Sequence, residues 1–245
     1  MANEVTTFSG ALSLKLESAS DALPKDFNKA RFIQNTLALL NDHPELQKYG
    51  KEQILAGLMK GAVLGLDFYN KEAYLVPYGN SLNYQTDYRG AKKLAKKYSI
   101  RPILDIDAKI VREGDDFQET VDGGKTSFRF SPKPFNDSKI IGAFAYVTYA
   151  DGGMMVDTMS LADLEMTRKH SKAQNSMAWK DFTSEMYRKT VLHRLCKHIE
   201  LDFENPAQRE LFTEDVAIET DPKQDMQNEI AEEANSMPFG GDDES

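Results

Sequence analysis

Two groups of basic residues have the clearest chemical use in this sequence, because clustered Lys and Arg side chains bind phosphates. The first group follows Asp87, contains no acid, and comprises Arg89, Lys92, Lys93, Lys96 and Lys97. In a helix most of these bases would lie opposite an apolar face, with Lys92 at the boundary. Charged helix faces are usually only solvated, but ordinary surfaces mix both signs. We therefore predict that this segment contacts the phosphates of a nucleic acid.

The second basic group lies nearer the C-terminus and is interleaved with amides and aromatic rings. It comprises Arg168, Lys169, Lys172, Lys180, Arg188, Lys189, Arg194 and Lys197. Such a mixture suits a groove that follows a phosphate backbone while rings or amides contact the bases. Arg188 falls on the apolar side of its predicted helix, so we expect it to be paired or to project into a groove at the edge of the core.

Three further residues are candidates for stacking on bases or for lining such a groove. Tyr84 and Gln85 lie in a predicted hairpin, and Trp179 lies within the second basic group. Aromatic platforms of this kind are common in proteins that bind single-stranded nucleic acids. For Trp179 a place in the core is the more frequent alternative, because a large ring buries much apolar surface.

Motifs for nucleotide binding are incomplete in this sequence. Gly124-Lys125-Thr126 looks like the end of a phosphate-binding loop, but position 119, where that motif needs glycine, holds glutamate. The hairpin pattern on both sides also differs from the strand-to-helix turn that the motif requires. We expect no ATP site and no required cofactor, with Mg²⁺ acting at most as a modulator of DNA binding.

Metal and nuclease chemistry is similarly unsupported. The four histidines have no metal-ligand spacing, and His193 and His198 would point away from each other on a helix. Several acids could hold Mg²⁺ for a nuclease, but no third ligand or catalytic lysine accompanies them at a recognisable spacing; they are Asp105, Asp107, Asp115 and Asp116. We interpret them as solvated acids and expect neither a metal site nor a catalytic residue.

The distribution of charge separates a body from a tail. The formal net charge is -9 at pH 7, which argues at first against a nucleic-acid partner. Residues 201–245 hold fourteen acids against only Arg209 and Lys223, whereas residues 1–200 hold 28 bases against 25 acids. The body is therefore mildly basic and the tail strongly acidic. Such a tail could compete with DNA for the basic groove or present Pro238 and Phe239 to a partner protein.

The elements that would position these side chains alternate between helical and strand patterns. We predict helices at 25–40, 51–66, 87–98, 160–169 and 176–200, and strands at 72–78, 81–85, 100–112, 115–121, 126–130, 139–150 and 153–159. This order predicts an α+β fold, with a mostly antiparallel sheet and hairpins backed by helices. The long C-terminal core helix would form the basic groove. We expect three regions: a flexible arm at 1–24, a DNA-binding core at 25–200, and a largely flexible acidic tail at 201–245.

Cysteine content and hydropathy bear on the cellular compartment. The single cysteine, Cys196, excludes a disulfide within the chain and a cysteine-rich zinc site. The sequence has neither a secretory signal nor the roughly 18 consecutive apolar residues of a membrane span. We therefore expect a cytoplasmic protein with no membrane partner.

Short motifs also follow one another in a fixed order between residues 23 and 201. They include Gly57-Leu58-Met59-Lys60, Leu64-Gly65-Leu66-Asp67, Tyr74-Leu75-Val76-Pro77-Tyr78-Gly79, Tyr88-Arg89-Gly90, Gly142-Ala143-Phe144-Ala145-Tyr146 and Arg188-Lys189-Thr190. As an ordered set they resemble the RecT family of phage single-strand annealing recombinases. One departure is Phe130 before Ser131-Pro132, where many members carry histidine, so no role can be transferred to that position.

The resemblance implies a function that composition alone does not reveal. RecT-like proteins anneal complementary single strands without ATP and assemble into rings or helical filaments on DNA. Their core is similar to that of the phage lambda beta protein, in which a β-hairpin sheet backed by a long helix forms a basic groove. They usually act with a phage 5′-to-3′ exonuclease and with the host single-strand binding protein.

The resulting hypothesis is an ATP-independent annealing protein that binds single-stranded DNA, oligomerises on it and pairs complementary strands in homologous recombination. Two alternatives belong to other classes. A metal-dependent DNA-processing nuclease would degrade labelled DNA, and a phage structural or adaptor protein would oligomerise without binding DNA. The sequence determines neither ring size nor filament geometry, and it does not identify the exonuclease.

Overall fold

The helices and strands of the computed structural model follow the predicted order; the structure describes residues 2–171, 174–175 and 177–218. The helices of this part are α1 (Ala2–Ser18), α2 (Lys29–Asp42), α3 (Lys51–Leu64), α4 (Tyr88–Tyr98), α5 (Leu161–His170), α6 (Met177–Asp181), α7 (Thr183–His198) and α8 (Pro206–Ile218). The strands are β1 (Ala73–Tyr78), β2 (Ser81–Thr86), β3 (Ile103–Arg112), β4 (Asp116–Asp122), β5 (Lys125–Ser131), β6 (Ile140–Tyr149) and β7 (Met154–Ser160). The predicted α+β fold with antiparallel strands is confirmed.

The strands form one central sheet and two separate hairpins. The central sheet has the order β3-β6-β7, with both pairings antiparallel, while β1 pairs with β2 and β4 with β5. Strand β6 is buried on both faces, as a middle strand between two packed layers must be. Its small residues, Ala143 and Ala145, face the side covered by α7, and Phe144 faces the β4–β5 hairpin. The sheet is therefore sandwiched between a helix and a hairpin.

Helix α7 is the main helix of the core. The helix predicted at 176–200 is divided in two, because Phe182 leaves the helical conformation between α6 and α7. Val191 and Leu195, four residues apart, are fully buried. The single cysteine, Cys196, is also buried on this helix, and desolvation raises the pKa of its thiol to about 12.

The N-terminal region departs from the prediction. Residues 2–18 were expected to form a flexible arm, but they form helix α1, which packs on α2 and α3. Leu12 and Leu16 lie one turn apart and are fully buried. The segment is polar overall but has a narrow apolar stripe. Such a stripe is enough to dock a helix on the outside of a core.

The C-terminal boundary also needs correction, because the core does not end at residue 200. Helix α8 packs against α3, α7 and β2, with Phe212 buried. Gln208 is fully buried, and its side-chain amide donates to the carbonyl of Val63 (3.0 Å) and to the hydroxyl of Tyr98 (3.4 Å). A buried amide with satisfied hydrogen bonds fixes the docking of a helix. Residues 219–245 of the predicted tail lie outside the described residues.

Glycines allow close contacts around the β1–β2 hairpin. A Cβ atom on Gly57 would come within 2.5 Å of Leu75, and one on Gly61 within 2.4 Å of Phe68, so α3 packs closely against these two side chains. Gly65, by contrast, caps α3 with a left-handed backbone (φ 69°). Gly90 brings α4 against the carbonyl oxygen of Glu72, only 2.1 Å from the position that a Cβ would occupy.

No helix within the described ranges combines the length and the apolar character that a membrane crossing requires.

Candidate nucleic-acid interface

A groove of about 470 Å³ opens beside β3, the edge strand of the central sheet. It lies between that strand, the end of β5 and the first turns of α7, and it is lined by Lys109, Ile110, Arg112, Phe130, Pro132, Ser184, Glu185 and Arg188. We call it the β3 groove. Three of its lining residues are cations and one is an acid, so its electrostatic character is basic. An aromatic ring and a proline supply apolar surface beside these charges.

The alternation of β3 places its charged side chains at the groove. Ile106 and Ala108 point into the core and are buried, which sends Asp107 and Lys109 to the opposite face. The pairing register with β6 then shifts between Val111 and Arg112. Beyond that irregularity, the Arg112 guanidinium donates to the carbonyl of Ser138 (2.7 Å), which holds this cation at the end of the groove.

Arg188 fulfils both halves of its prediction. Its guanidinium pairs with Glu185, three residues earlier on α7, and its side chain remains 38% exposed and lines the β3 groove. Hydrogen bonding to Glu185 raises the pKa of Arg188, so this residue stays a cation under any ordinary condition. An exposed pair of this kind is weak and can exchange its carboxylate for a phosphate.

Asp107 connects the groove to helix α4. Its carboxylate oxygens lie 3.4 Å from Lys92 Nζ and 2.7 Å from Lys109 Nζ. Burial alone would raise the pKa of Asp107, but the hydrogen bonds from Lys109 and the Ala108 backbone, with the two lysine charges, outweigh it and lower the pKa. This acid therefore stays charged at neutral pH and holds the two lysines beside each other.

The N-terminal turn of α4 continues the basic surface beyond the groove. Arg89 is exposed, and its Nε donates to the hydroxyl of Tyr88 (3.3 Å). Burial and the charge of Asp87 raise the pKa of Tyr74, while the charges of Arg89 and Lys189 oppose the shift. Helices α4 and α7 pack against each other, so both contribute cations to this part of the molecule, although their residues are a hundred positions apart in sequence.

We call the cations of α4, β3 and α7 in this region the basic edge; they are Arg89, Lys92, Lys109, Arg112, Arg188 and Lys189. Asp107 and Glu185 form side-chain ion pairs with three of these six cations, and Asp87 and Asp115 accept hydrogen bonds from the backbone of Arg89 and Arg112. The remaining excess of positive charge attracts polyanions. Tyr74, Tyr88 and Phe130 lie along the same surface and add aromatic rings to it.

Other bases of the first group serve different contacts. Lys93 Nζ donates to the carbonyl of Gly65 (3.0 Å) and to Glu72 (2.6 Å). Lys97 Nζ lies 2.5 Å from Asp26. Both lysines thereby tie α4 to the segments around α2 and α3 and lie away from the β3 groove, whereas Lys96 is exposed in the last turn of α4.

The rest of the second group is spread over several elements. Arg168 lies over the Trp179 ring (5.7 Å to the centroid) and near Glu165 (3.5 Å). Arg194 lies 3.1 Å from Asp157 of β7. Three lysines are exposed on α5, α6 and α7, respectively Lys169, Lys180 and Lys197. Lys172 lies outside the described residues. The contacts of Arg168 and Arg194 are therefore with residues of α5, α6 and β7, which contribute no residue to the basic edge.

Two of the predicted stacking residues are buried, so their suggested role is wrong. Tyr84 packs on Phe68 from the inner face of β2, and its hydroxyl bonds to Thr86 (2.9 Å). Trp179 is 3% exposed and packs on Tyr187. Both rings carry out the core role that large aromatic residues usually have. Gln85 lies on the other face of β2, across from Tyr74, and is half-buried.

Sequence reasoning missed Lys109 and Arg112, which belong to neither basic group. For Lys109 the available signal was the charged residue at positions 105, 107 and 109, which marks a face of β3 that does not enter the core. Arg112 does not follow this alternation, because position 111 is valine. A single lysine in a strand is weak evidence for a phosphate-binding site until the position of the neighbouring helix is known.

The acids considered as metal ligands have other partners. Asp105 accepts from Tyr146 (2.8 Å), and Asp116 pairs with Arg129 (2.5 Å). Asp115 accepts hydrogen bonds from the backbone of Arg112 and Lys133. Across the described ranges, no three His, Cys, Asp or Glu side chains come together in a way that could hold a metal ion.

Comparisons with known proteins connect this surface to a family. A family model described as the RecT family matches residues 30–229. A similar curated protein is Protein RecT of Escherichia coli (strain K12), which is 27% identical over 212 residues; the alignment covers 82% of this chain and 77% of that protein. The family match includes every residue of the basic edge.

Proposed function

The chain belongs to the RecT family of recombination and annealing proteins, and on this premise we propose that it binds single-stranded DNA and anneals complementary strands without ATP. The observation that carries the proposal is the basic edge. The basic edge combines cations from α4, β3 and α7 with aromatic rings that are at least partly exposed, which is the combination that single-strand binding needs. This surface carries a local excess of positive charge, although the net charge of the whole chain is negative.

The proposed mechanism is electrostatic. The basic edge holds one strand by its phosphates and leaves the base edges free. A second strand is then tested by Watson–Crick pairing, so that the DNA itself reads the sequence. No covalent step is involved, and we propose no catalytic residue, ATP site or required metal. Mg²⁺ would act by screening phosphates.

Oligomerisation is part of the proposal, because one basic edge is short. A groove of this size contacts only a few nucleotides, and a stable duplex needs more than that to form. Neighbouring subunits in a ring or helical filament would continue the surface. Phosphate contacts by the other predicted bases stay predictions that such an assembly would allow. These bases are Lys93, Lys96, Lys97, Arg168, Lys169, Lys172, Lys180, Arg194 and Lys197. A 5′-to-3′ exonuclease and a host single-strand binding protein are the proposed partners.

The decisive experiment is annealing of two complementary labelled oligonucleotides, followed by fluorescence transfer, with and without ATP and Mg²⁺. We expect the protein to accelerate annealing at least tenfold over the spontaneous reaction, equally with and without ATP. Loss of intact labelled strand in the presence of Mg²⁺ would instead indicate a nuclease. Absence of any mobility shift with single-stranded DNA would indicate a structural or adaptor protein.

A truncation after Ile218 tests whether the acidic tail competes with DNA. Residues 219–245 hold nine acids and one base. A tethered polyanion occupies a basic surface at high effective concentration, so its removal should tighten single-strand binding roughly 3- to 10-fold at low salt. The measurement is fluorescence anisotropy of a labelled oligonucleotide over a salt series.

The truncation must leave α8 intact, because removal of Gln208 and Phe212 would damage the core. A full-length variant in which the nine acids are changed to Asn or Gln is the matched control, since it keeps the length of the tail. If affinity is unchanged in both proteins, competition is excluded, and the tail is better explained as a docking segment for a partner.

A further inference from the structure

The loop that joins β5 to β6 presents a fully exposed aromatic ring. Phe135 has a relative exposure of 101%, the highest among the large hydrophobic residues that the structure describes as exposed. An isolated exposed apolar residue needs no explanation by itself. Here, however, the ring occurs on a loop that is tightly held and adjoins the β3 groove, and these two facts together point to a ligand.

Hydrogen bonds to Asp115 and Asn136 fix the shape of this loop. Asp115 Oδ1 accepts from the Lys133 backbone (2.9 Å) and from Asn136 Nδ2 (2.8 Å), and Asp115 Oδ2 accepts from the Arg112 backbone (2.8 Å). Asn136 also donates to the carbonyl of Glu113 (3.1 Å). Burial alone would raise the pKa of Asp115, but these donors outweigh it and lower the pKa. The carboxylate of Asp115 therefore stays ionised at neutral pH and keeps accepting these hydrogen bonds.

The backbone of Phe135 is held in an unfavourable conformation. Its φ angle is 54°, in the left-handed region that bulky residues rarely adopt. Asparagine or glycine would suit this position better. A strained backbone that displays an apolar ring to solvent is unfavourable in two ways, and residues of this kind concentrate at sites of binding.

Both ends of the loop are attached to the β3 groove. Pro132, at its start, lines the groove, and Arg112, which also lines it, donates to the carbonyl of Ser138 at the end of the loop. Phe135 is only three residues from Pro132, so the Cα atoms of these two residues lie within about 11 Å of each other. Two exposed lysines, Lys133 and Lys139, flank it, together with one exposed acid, Asp137.

This setting favours a nucleic-acid base over an apolar protein surface as the partner of the ring. A hydrophobic contact between proteins is usually depleted of lysine, whereas an aromatic ring among lysines and arginines is the pattern of a base-stacking platform. We propose that Phe135 stacks on a base of the single strand that lies along the basic edge. The inference rests on the proposed function and adds to it the residue that contacts bases.

The test compares wild type with Phe135→Asn on two oligonucleotides of equal length, one normal and one abasic at every internal position. Asparagine accepts the left-handed backbone, so this variant should fold and melt at least as well as the wild type. Phe135→Tyr keeps a ring. Tyr69→Asn is the matched control, because Tyr69 is half-exposed and its backbone bonds to Asp67, away from the β3 groove.

We expect Phe135→Asn to weaken binding of the normal oligonucleotide roughly 5- to 100-fold and to leave binding of the abasic oligonucleotide unchanged. Phe135→Tyr and Tyr69→Asn should bind both strands like the wild type. Equal loss on both strands, with a smaller oligomer in solution, would mean that the ring docks on a neighbouring subunit and would overturn the proposal. Wild-type affinity of Phe135→Asn for both strands would overturn it as well.

A spectroscopic measurement separates this proposal from the proposed function. The chain has a single tryptophan, Trp179, which is buried, so Phe135→Trp adds one exposed fluorophore. Stacking should quench its emission on addition of the normal oligonucleotide but not of the abasic one. If neither oligonucleotide binds the wild type, the proposed function fails; if both bind without quenching, only the stacking proposal fails.

Discussion

Neutralising three cations of the basic edge should weaken single-strand binding roughly 100-fold at about 0.1 M salt. The variant combines Arg89→Ala, Lys109→Ala and Arg188→Ala. Each lost phosphate contact lowers the slope of log K against log salt by about 0.7, which corresponds to about fivefold in affinity at that salt concentration. The salt slope should therefore become shallower by about 2, and annealing should fail at protein concentrations where the wild type is active.

The three side chains contribute little to the stability of the fold, so the variant should fold. Lys109 and Arg188 are 44% and 38% exposed, and each pairs with an acid that also remains partly exposed. Arg112 is left in place because it holds the loop of Phe135. The control variant, Lys15→Ala, Lys48→Ala and Arg101→Ala, removes the same charge from surfaces outside the basic edge. Equal loss of affinity in the two variants would show that DNA binding depends only on net charge, and it would contradict the assignment of the basic edge as the DNA-binding surface.

The largest effect on stability is expected from Gly90→Ala. A Cβ at this position would lie 2.1 Å from the carbonyl oxygen of Glu72 and 2.9 Å from the Thr86 methyl group. The Glu72 carbonyl is backbone and accepts from the Asp87 N–H (3.0 Å), so it cannot move without disturbing the N-cap of α4. We expect the free energy of unfolding to fall by about 3 kcal/mol, measured by urea unfolding followed by circular dichroism.

Gly10→Ala is the matched substitution in open space. No atom lies within 4 Å of the added Cβ, and the residue belongs to helix α1. Alanine is the better helix former, so this variant should gain about 0.5–1 kcal/mol. If both variants change stability by the same amount and sign, the close approach of α4 to β1 is wrong.

The strands and most helices could be predicted because their signals are local. The β1–β2 hairpin follows from two strand-like runs joined by the turn residues Gly79-Asn80, and α4 begins where Asp87 caps it. Helices α1 and α8 were misjudged for the opposite reason. Their stability comes from docking Leu12, Leu16 and Phe212 on partners that are distant in sequence. A short apolar stripe in a polar segment does not reveal whether such a partner exists.

The site was predictable only in part. The sequence identified Arg89, Lys92, Arg188 and Lys189 as phosphate-binding candidates, but it could not show that α4 and α7 lie side by side. The sequence also could not show that Lys93 and Lys97 form ion pairs with Glu72 and Asp26, because those pairs depend on which face of α4 packs against the rest of the protein. Phe135 carried no sequence signal, since its exposure and left-handed backbone are properties of the folded loop.

The docking of α8 has a consequence for how the protein is made. Gln208 bonds to Val63 across 145 residues, and Asn205 bonds to the carbonyl of Ala22 across 183. Contacts of such long sequence separation form slowly, because a long loop must close first. The core that supports the basic edge therefore cannot be completed until translation has passed Phe212, and the nascent chain must keep its N-terminal helices free of misfolding until then.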